Sequence, residues 1–371
     1  MADTGTRTAE VSPTSSPTRG EPLDVLVVGA GQAGLALAWY LSRGRTRYLV
    51  VDSAPEVGHS WRSRWDSLRL FTPSQYDGLP GSEFPAPVDS HPGKDQVADY
   101  LQSYAEANAF PILTGTKVER LPTSADGFQA ITSQGVLRAR QVVVATGPFQ
   151  RPHVPEISAA FDPDLPQIHS ADYRNPDQLS GETILVVGGG NSGLQIADEL
   201  NRSRRVVLAA GSQPPVLPQI IAGRDVFWWL TRFGLIDRPA NSPLARRVRA
   251  RGDLVIGAGP GRLRRRGVDI RGRLTRADGR MAHFADDTTV AVDAVVWATG
   301  YRSDYSWLCA PVDPQGRPVH RQGSSPVPGL WFLGQPWQRS RGSSLLGFVQ
   351  HDAALIAAQI QRRTACSGAS A

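Results

Sequence analysis

Twice along this chain an apolar run breaks into the same glycine turn and resumes as a helical pattern. The first copy is Leu23-Asp24-Val25-Leu26-Val27-Val28, followed by Gly29-Ala30-Gly31-Gln32-Ala33-Gly34. Helical apolar spacing then runs from Leu35 to Leu41, and a second apolar run, Tyr48-Leu49-Val50-Val51, ends in Asp52. The second copy is Ile184-Leu185-Val186-Val187, then Gly188-Gly189-Gly190-Asn191-Ser192-Gly193, a helix over Leu194–Leu200 and a strand at Val206–Ala210. Continuous short apolar runs of this kind suit buried parallel strands. Each copy is followed by a later apolar strand that ends in Ala-Thr-Gly, at 145–147 and at 298–300.

Strand, GxGxxG, helix, strand is the opening of a βαβ dinucleotide-binding unit, and each glycine has its own reason. Gly29 permits the tight turn. Gly31 lets a pyrophosphate approach the backbone, where the helix N-terminus supplies N–H donors and the positive dipole end. Gly34 lets the helix pack close to the sheet. Asp52, 18 residues beyond Gly34, can accept from ribose hydroxyls. In the second copy the corresponding stretch is Ala210-Gly211-Ser212-Gln213, with neither an acid for a 2′-hydroxyl nor an arginine for a 2′-phosphate. Arg204, Arg205 or Arg224 are the candidates to reach a phosphate from elsewhere, so NADPH and NADH both remain open.

The pattern predicts an α/β fold with two Rossmann-like dinucleotide-binding domains, the second inserted in the first. Residues 1–20, rich in Thr, Ser and Pro without an apolar core, read as a disordered tail. The first domain takes 21–155 and resumes at 296–371, and the second takes 156–295. Pro148, Pro152 and Pro155 mark the first boundary. Residues 58–92, dense in Trp, Pro, Gly and Ser, read as a long loop layer; Gln96–Ala107 reads as a helix, 112–144 as strands, Leu330–Gly334 as a late buried strand and His351–Gln361 as a final helix. Residues 213–250 hold proline turns and a helical patch at Phe227–Leu230.

Composition removes several classes. A net charge of +6 over 371 residues falls short of a nucleic-acid footprint. The cluster Arg262, Arg264, Arg265 and Arg266 reads as a solvated loop. Two distant cysteines, Cys309 and Cys366, form no CxxC, which excludes a zinc ribbon or thioredoxin-like pair, and no metal site is expected. No apolar run approaches membrane-spanning length. The expectation is a cytoplasmic protein with no nucleic-acid or membrane partner, and with a homodimer left open.

The two fingerprints in this order resemble the flavin-containing monooxygenases, with their Baeyer–Villiger and plant YUCCA relatives, and the short bacterial CzcO-like members most of all. The resemblance spans Leu23 to Gln361. It is carried further by Gly58-His59-Ser60-Trp61-Arg62, by Trp65 to Pro73, by the two Ala-Thr-Gly strands with Trp297 to Arg302, and by Gly334-Gln335-Pro336-Trp337. The family's FxGxxxHxxx-aromatic fingerprint is matched only in part: His169 and Tyr173 keep the four-residue spacing, but Phe161 stands eight residues before His169 with no intervening glycine. His169 by itself reads as a hydrogen-bonded linker histidine.

The resemblance implies that Gly29, Gly31, Gln32, Gly34 and Asp52 bind the adenosine and pyrophosphate of FAD. Trp61 and Arg62 then lie along the flavin, and Gly334 and Gln335 lie near its end. Gly188, Gly190, Asn191, Ser192 and Gly193 cradle NADPH or NADH. The implied reaction is hydride transfer to the flavin, formation of a C4a-(hydro)peroxyflavin with O2, and oxygenation of a small organic substrate by S- or N-oxidation or Baeyer–Villiger insertion. Trp61, Trp65, Phe71, Trp337 and Phe348 are candidates to keep water out, and no catalytic acid or base is assigned. Two alternatives stand: an NAD(P)H oxidase or flavin reductase that passes electrons to O2 or a partner, and a non-enzymatic flavin-bound sensor.

Overall fold

The computed structural model describes residues 21–211, 215–252, 254–257 and 259–368, with side chains described up to 365. The expected tail at 1–20, Ser212, Gln213 and the Cys366 side chain lie outside the described residues.

The first glycine turn joins strand β1 (Leu23–Val28) to helix α1 (Gln32–Ser42), which leads to β2 (Tyr48–Val51). After the loop layer come α2 (Lys94–Ala107) and the ten-residue β3 (Gly135–Val144). The two ends of β3 have different environments. Its first half alternates in exposure and pairs antiparallel with Gly127–Thr132, as in Phe128↔Ala139. Its second half, Gln141–Val144, is buried on both faces and pairs parallel with β1, as in Val28↔Val144. Continuous burial demands the apolar run that distinguished this segment in the sequence.

The second turn joins β4 (Thr183–Val187) to α3 (Asn191–Leu200) and β5 (Arg205–Ala209). Two short helices follow, α4 (Val226–Arg232) and α5 (Pro243–Ala250), then helix α6 (Pro260–Arg265) and strands β6 (Asp269–Arg271) and β7 (Ala294–Trp297). The five-stranded sheet runs β6, β5, β4, β7 and Gln167–His169, all parallel. The chain then returns to the first sheet: β8 (Leu330–Phe332) pairs parallel with β3, with Phe332 opposite Val144. The final helix α7 (Val349–Gly368) packs on α1. The fold is α/β with two Rossmann-like sheets, the second formed between segments of the first.

Two expectations change. The arginine cluster at 262–266 is not a loop. Pro at the first turn, which needs no N–H there, starts α6, and Leu263 is buried beneath it. Strand β6 had no sequence signal, because three residues carry no period; its pairing with β5 creates it. Among the described residues, no helix is long and apolar enough to cross a membrane.

Candidate functional site

Every parallel strand of the first sheet delivers its C-terminal end to one edge. Gly29, Asp52, Ala145 and Leu333 follow directly on strands held in register at Val28↔Val51, Val28↔Val144 and Phe332↔Val144. The second sheet does the same with Gly188, Ala210 and Ala298. In open α/β sheets ligands bind outside the carboxyl ends of the strands.

The two glycine turns superpose in their packing logic. Gly29 has φ +113° and Gly188 φ +127°, conformations that L side chains rarely adopt. A Cβ at Gly29 would stand 2.5 Å from the Ala145 carbonyl oxygen, and one at Gly188 2.2 Å from that of Ala298. The Ala-Thr-Gly strands therefore press directly on the turns. A Cβ at Gly34 or Gly193 would lie 1.9 Å from the carbonyl oxygen of Gly29 or Gly188. These four glycines are demanded by the protein's own packing. The middle ones are not. Gly31 (φ −76°, ψ −176°) and Gly190 (φ −81°, ψ −179°) have ordinary extended backbone, and an added Cβ would meet nothing within 4 Å. The space they leave open faces the first turns of α1 and α3, neither of which has a side-chain cap. Free N–H groups and a positive dipole end pointing into an open cradle fit a pyrophosphate in both folds.

Asp52 locks the first cradle. Its Oδ2 accepts from the Ala30 N–H at 2.6 Å and its Oδ1 from the Ala54 N–H at 2.8 Å. A carboxylate has about four acceptor sites, so room for ribose hydroxyls remains.

In the second fold the register puts Ala210 where Asp52 stands in the first. Arg205 lies at the opposite end of β5, paired with Thr183, and Arg204 precedes it in the chain. Arg224 stacks over Trp228. A cavity of about 270 Å³ opens at Ala210 instead, lined by Arg264, Ile270, Arg271, Gly272 and Asp286. Arg271, opposite Ala209 in the sheet, is held by both oxygens of Asp269 at 2.8 and 2.9 Å. Arg273 packs against Gly211. These arginines follow Ala210 by more than 50 residues, so only strand pairing brings them there.

At the far end of the first cradle, Trp61 Nε1 donates to Gln32 Oε1 at 3.3 Å, and Gly334 (φ +79°) lies against Ala33. Gln335 is buried and its Nε2 donates to Tyr305 Oη at 2.8 Å; burial pushes the Tyr305 phenol up. The Arg62 guanidinium turns to α2, where it meets Asp99 at 2.7 Å and Gln102 at 3.0 Å, and it also pairs with Glu56 at 3.1 Å. Asn191 spends its side chain on Leu254 O (3.4 Å) and the Ile256 N–H (3.3 Å), while Ser192 sits half-buried in the first turn of α3. His169 is a linker histidine: it bridges Gly300 O and the Ala171 N–H, and burial lowers its pKa.

The loop layer encloses a cavity of about 720 Å³, lined among others by Ser74, Tyr76, Phe84, Phe348, Gln350 and His351. Its lining is mixed, and behind Tyr76 and Phe348 lies an aromatic cluster with Phe71 and Phe227. Tyr76 stacks on Phe348 (6.1 Å between centroids) and Phe71 on Phe227 (6.0 Å). Of the candidate water-excluding residues, Phe348 lines the cavity and Phe71 packs in the cluster behind it. Trp61 stands at Gln32, Trp65 is buried in the main core, and Trp337 lies under Arg341. Next to Tyr76, Asp77 is fully buried, and that burial pushes its carboxyl up to about 8. Thr72 Oγ1 donates to its Oδ1 at 2.5 Å, and Oδ2 has no hydrogen-bond partner among the described residues. Nothing in local sequence distinguished Tyr76 or Asp77, and Phe227 read only as the start of a helical patch.

Comparison with known proteins places this geometry. Residues 26–216 match the family described as pyridine nucleotide-disulphide oxidoreductase. An uncharacterized CzcO-like oxidoreductase of Geobacillus kaustophilus is 41% identical over 89% of this chain and 96% of its own length. Rice indole-3-pyruvate monooxygenase YUCCA4 is 27% identical over 90% of this chain and 87% of its own. The structure of a flavin-containing monooxygenase from Stenotrophomonas maltophilia aligns with a TM-score of 0.75 and 28% identity, covering 93% of this chain and all of that one. The likeness extends over most of the length of each of these proteins, and the chain belongs to the flavin monooxygenase family, as a flavin-dependent oxidoreductase.

Proposed function

We propose that this protein is an NADPH-dependent FAD monooxygenase acting on a small organic substrate in the cytoplasm. FAD belongs to the fold of residues 21–155 and 299–368, and the nicotinamide coenzyme to residues 156–298; the expected boundary at 295 moves because Ala294–Trp297 is a strand of the second sheet and Ala298 closes its glycine turn. The observation that carries the reading is the pair of matched cradles: glycine is retained at Gly31 and Gly190 although the protein's own packing leaves a Cβ room at both. The chemistry that an FAD held here would supply is acceptance of hydride from the reduced nicotinamide and activation of O2, one oxygen atom going to a sulfur, to a nitrogen or beside a ketone carbonyl and the other leaving as water.

The chain's residues bind, orient and keep water out. Gly29, Gly31, Gln32 and Gly34 hold one pyrophosphate at the N-terminus of α1, and Asp52 holds the ribose. Gly188, Gly190, Asn191, Ser192 and Gly193 hold the other at α3, with the Asn191 side chain fixing the 254–256 segment above it. Arg264 and Arg271 line the cavity at Ala210, the register position of Asp52, where they would pair with a 2′-phosphate, and this supports NADPH over NADH. Trp61, Gly334 and Gln335 line the path of the flavin, and Arg62 anchors the Trp61 turn to α2 through Asp99. The packed cluster of Phe71, Tyr76, Phe227 and Phe348 would supply an apolar wall to keep water from the reacting end.

The test is to purify the protein, read its bound flavin by absorbance, reduce it anaerobically with NADPH or NADH, and admit O2 with candidate sulfides, amines and ketones. Oxygenated product formed in step with NADPH consumption supports the reading. Hydrogen peroxide equal to the NADPH consumed, undiminished by every substrate, favours the oxidase.

A further inference from the structure

Residues 216–252, between the glycine cradle of the second fold and the strand at Val255–Ile256, hold seven arginines and two aspartates. The segment alone carries +5 of the chain's +6, so the rest of the protein is close to neutral. Neither aspartate offsets the arginines. Asp225 is buried and caps α4 by accepting from the Phe227 N–H at 2.8 Å, and Asp237 faces His351 and Arg339. Arg224 stacks over Trp228, and among the described residues none of the seven arginines has an ion pair within 4.0 Å.

The same segment exposes large apolar side chains. Phe233 is 61% exposed, Ile220 58% and Leu244 47%. Phe233 stacks on Trp229, and Trp228 meets Trp229 edge to face, both tryptophans being half-buried. The segment's inner side is fixed: Val226, Phe227 and Ile236 pack with Ile256, Phe348, Phe71 and Tyr76. What remains outward is the seven arginines, all exposed, together with exposed aromatic and branched apolar groups, Arg224 lying directly over Trp228.

We propose that this face docks on an anionic lipid bilayer. Arginine heads meet the phosphates, while Phe233, Ile220 and Leu244 enter the acyl boundary with Trp228 and Trp229 at headgroup depth. The contact lies on the surface and spans nothing. A second copy of this chain fits the face poorly, because a twofold contact would set the same unneutralised arginines against each other. Nucleic acid would satisfy the arginines and leave the aliphatic Ile220 and Leu244 without a role. Tyr76 and Phe348, on which the segment rests, also line the 720 Å³ cavity. A docked protein therefore holds that cavity one aromatic layer from the lipid, a route for substrates that partition into membranes.

The experiment is vesicle co-sedimentation of the flavin-loaded protein, with tryptophan emission read in parallel. One set of vesicles is phosphatidylcholine alone, and the other is phosphatidylcholine and phosphatidylglycerol in equal parts. Binding to the anionic set only, weakening with added salt and accompanied by blue-shifted emission, is the expected result. Replacing Arg246, Arg247 and Arg249 together by Glu should lower partitioning roughly 100-fold, and Phe233→Ser several-fold, with flavin content and circular dichroism unchanged. No anionic binding, or binding indifferent to both variants, overturns the proposal. So does tighter binding to RNA that ignores Phe233→Ser, or concentration-dependent dimerisation, seen by light scattering, that the arginine variant abolishes. None of these outcomes touches the flavin assignment, which the absorbance reads separately.

Discussion

Substituting alanine at two glycines three residues apart separates ligand binding from folding. At Gly190 the backbone is extended and an added Cβ meets no protein atom within 4 Å. Gly190→Ala removes unfolded-chain entropy, a gain of about 0.4–1 kcal/mol, and puts a poorer residue at the N-cap of α3, a loss of about 1 kcal/mol or less. The two nearly cancel, so the melting temperature should move by only a few degrees, roughly 2–4 °C per kcal/mol in a domain of this size. The methyl group, however, fills the cradle. Losing one charge-assisted hydrogen bond from backbone N–H to phosphate costs about 1.5–3 kcal/mol, which raises the Kd for NADP⁺ roughly 10- to 100-fold. Gly193→Ala puts its Cβ 1.9 Å from a backbone oxygen, so α3 must shift off β4. Overpacking of this kind costs about 1–3 kcal/mol or more. Titration calorimetry with NADP⁺, thermal melting and flavin absorbance on both variants make the check. Unchanged NADP⁺ affinity in Gly190→Ala would refute the assignment of the second cradle.

Three further outcomes are expected. Gly31→Ala should purify with its FAD largely lost but a melting temperature close to that of the flavin-free parent, as differential scanning calorimetry will show. Arg264→Ala and Arg271→Ala should each weaken NADP⁺ roughly tenfold, as expected for a lost charge-assisted contact, while NAD⁺ affinity stays constant in the same titration. Asp77, raised by burial to about 8, retains its proton when folded and loses it near the ordinary carboxylate value when unfolded. The parent's stability should therefore fall as pH rises from about 4 to about 8 on this account. Asp77→Asn removes that slope, so its melting advantage should grow across that range; a constant offset would assign Asp77 an ordinary pKa.

Much of the site was legible because its chemistry is local. Gly34 and Gly193 serve constraints within one turn, which six-residue spacing reveals, while Gly29 and Gly188 also answer the distant Ala145 and Ala298, which the repeated Ala-Thr-Gly strands mark in the sequence. Asp52 was legible for the same reason, as the residue that ends the next strand. His169 read as a hydrogen-bonded linker histidine; its partners at 171 and 300 are backbone atoms, and it ends the edge strand Gln167–His169 of the second sheet. The arginines at 264 and 271 were not legible. They reach Ala210 through the pairing of β5 with β6, a strand too short to have a period. Arg62 read as a residue along the flavin, yet in the structure its guanidinium meets three partners on or near α2.

The sequence by itself determined that this chain builds two parallel sheets with a glycine cradle at each, because buried parallel strands require unbroken apolar runs and a pyrophosphate requires glycine at fixed spacing. Only the tertiary structure decided what stands around the cradles. The 270 Å³ pocket with its arginines, the aromatic wall from residues 71, 76, 227 and 348, and the buried Asp77 are assembled from segments far apart in the chain. Their proximity follows from strand pairing and shared burial, and side-chain packing at that range leaves no period or spacing in the chain.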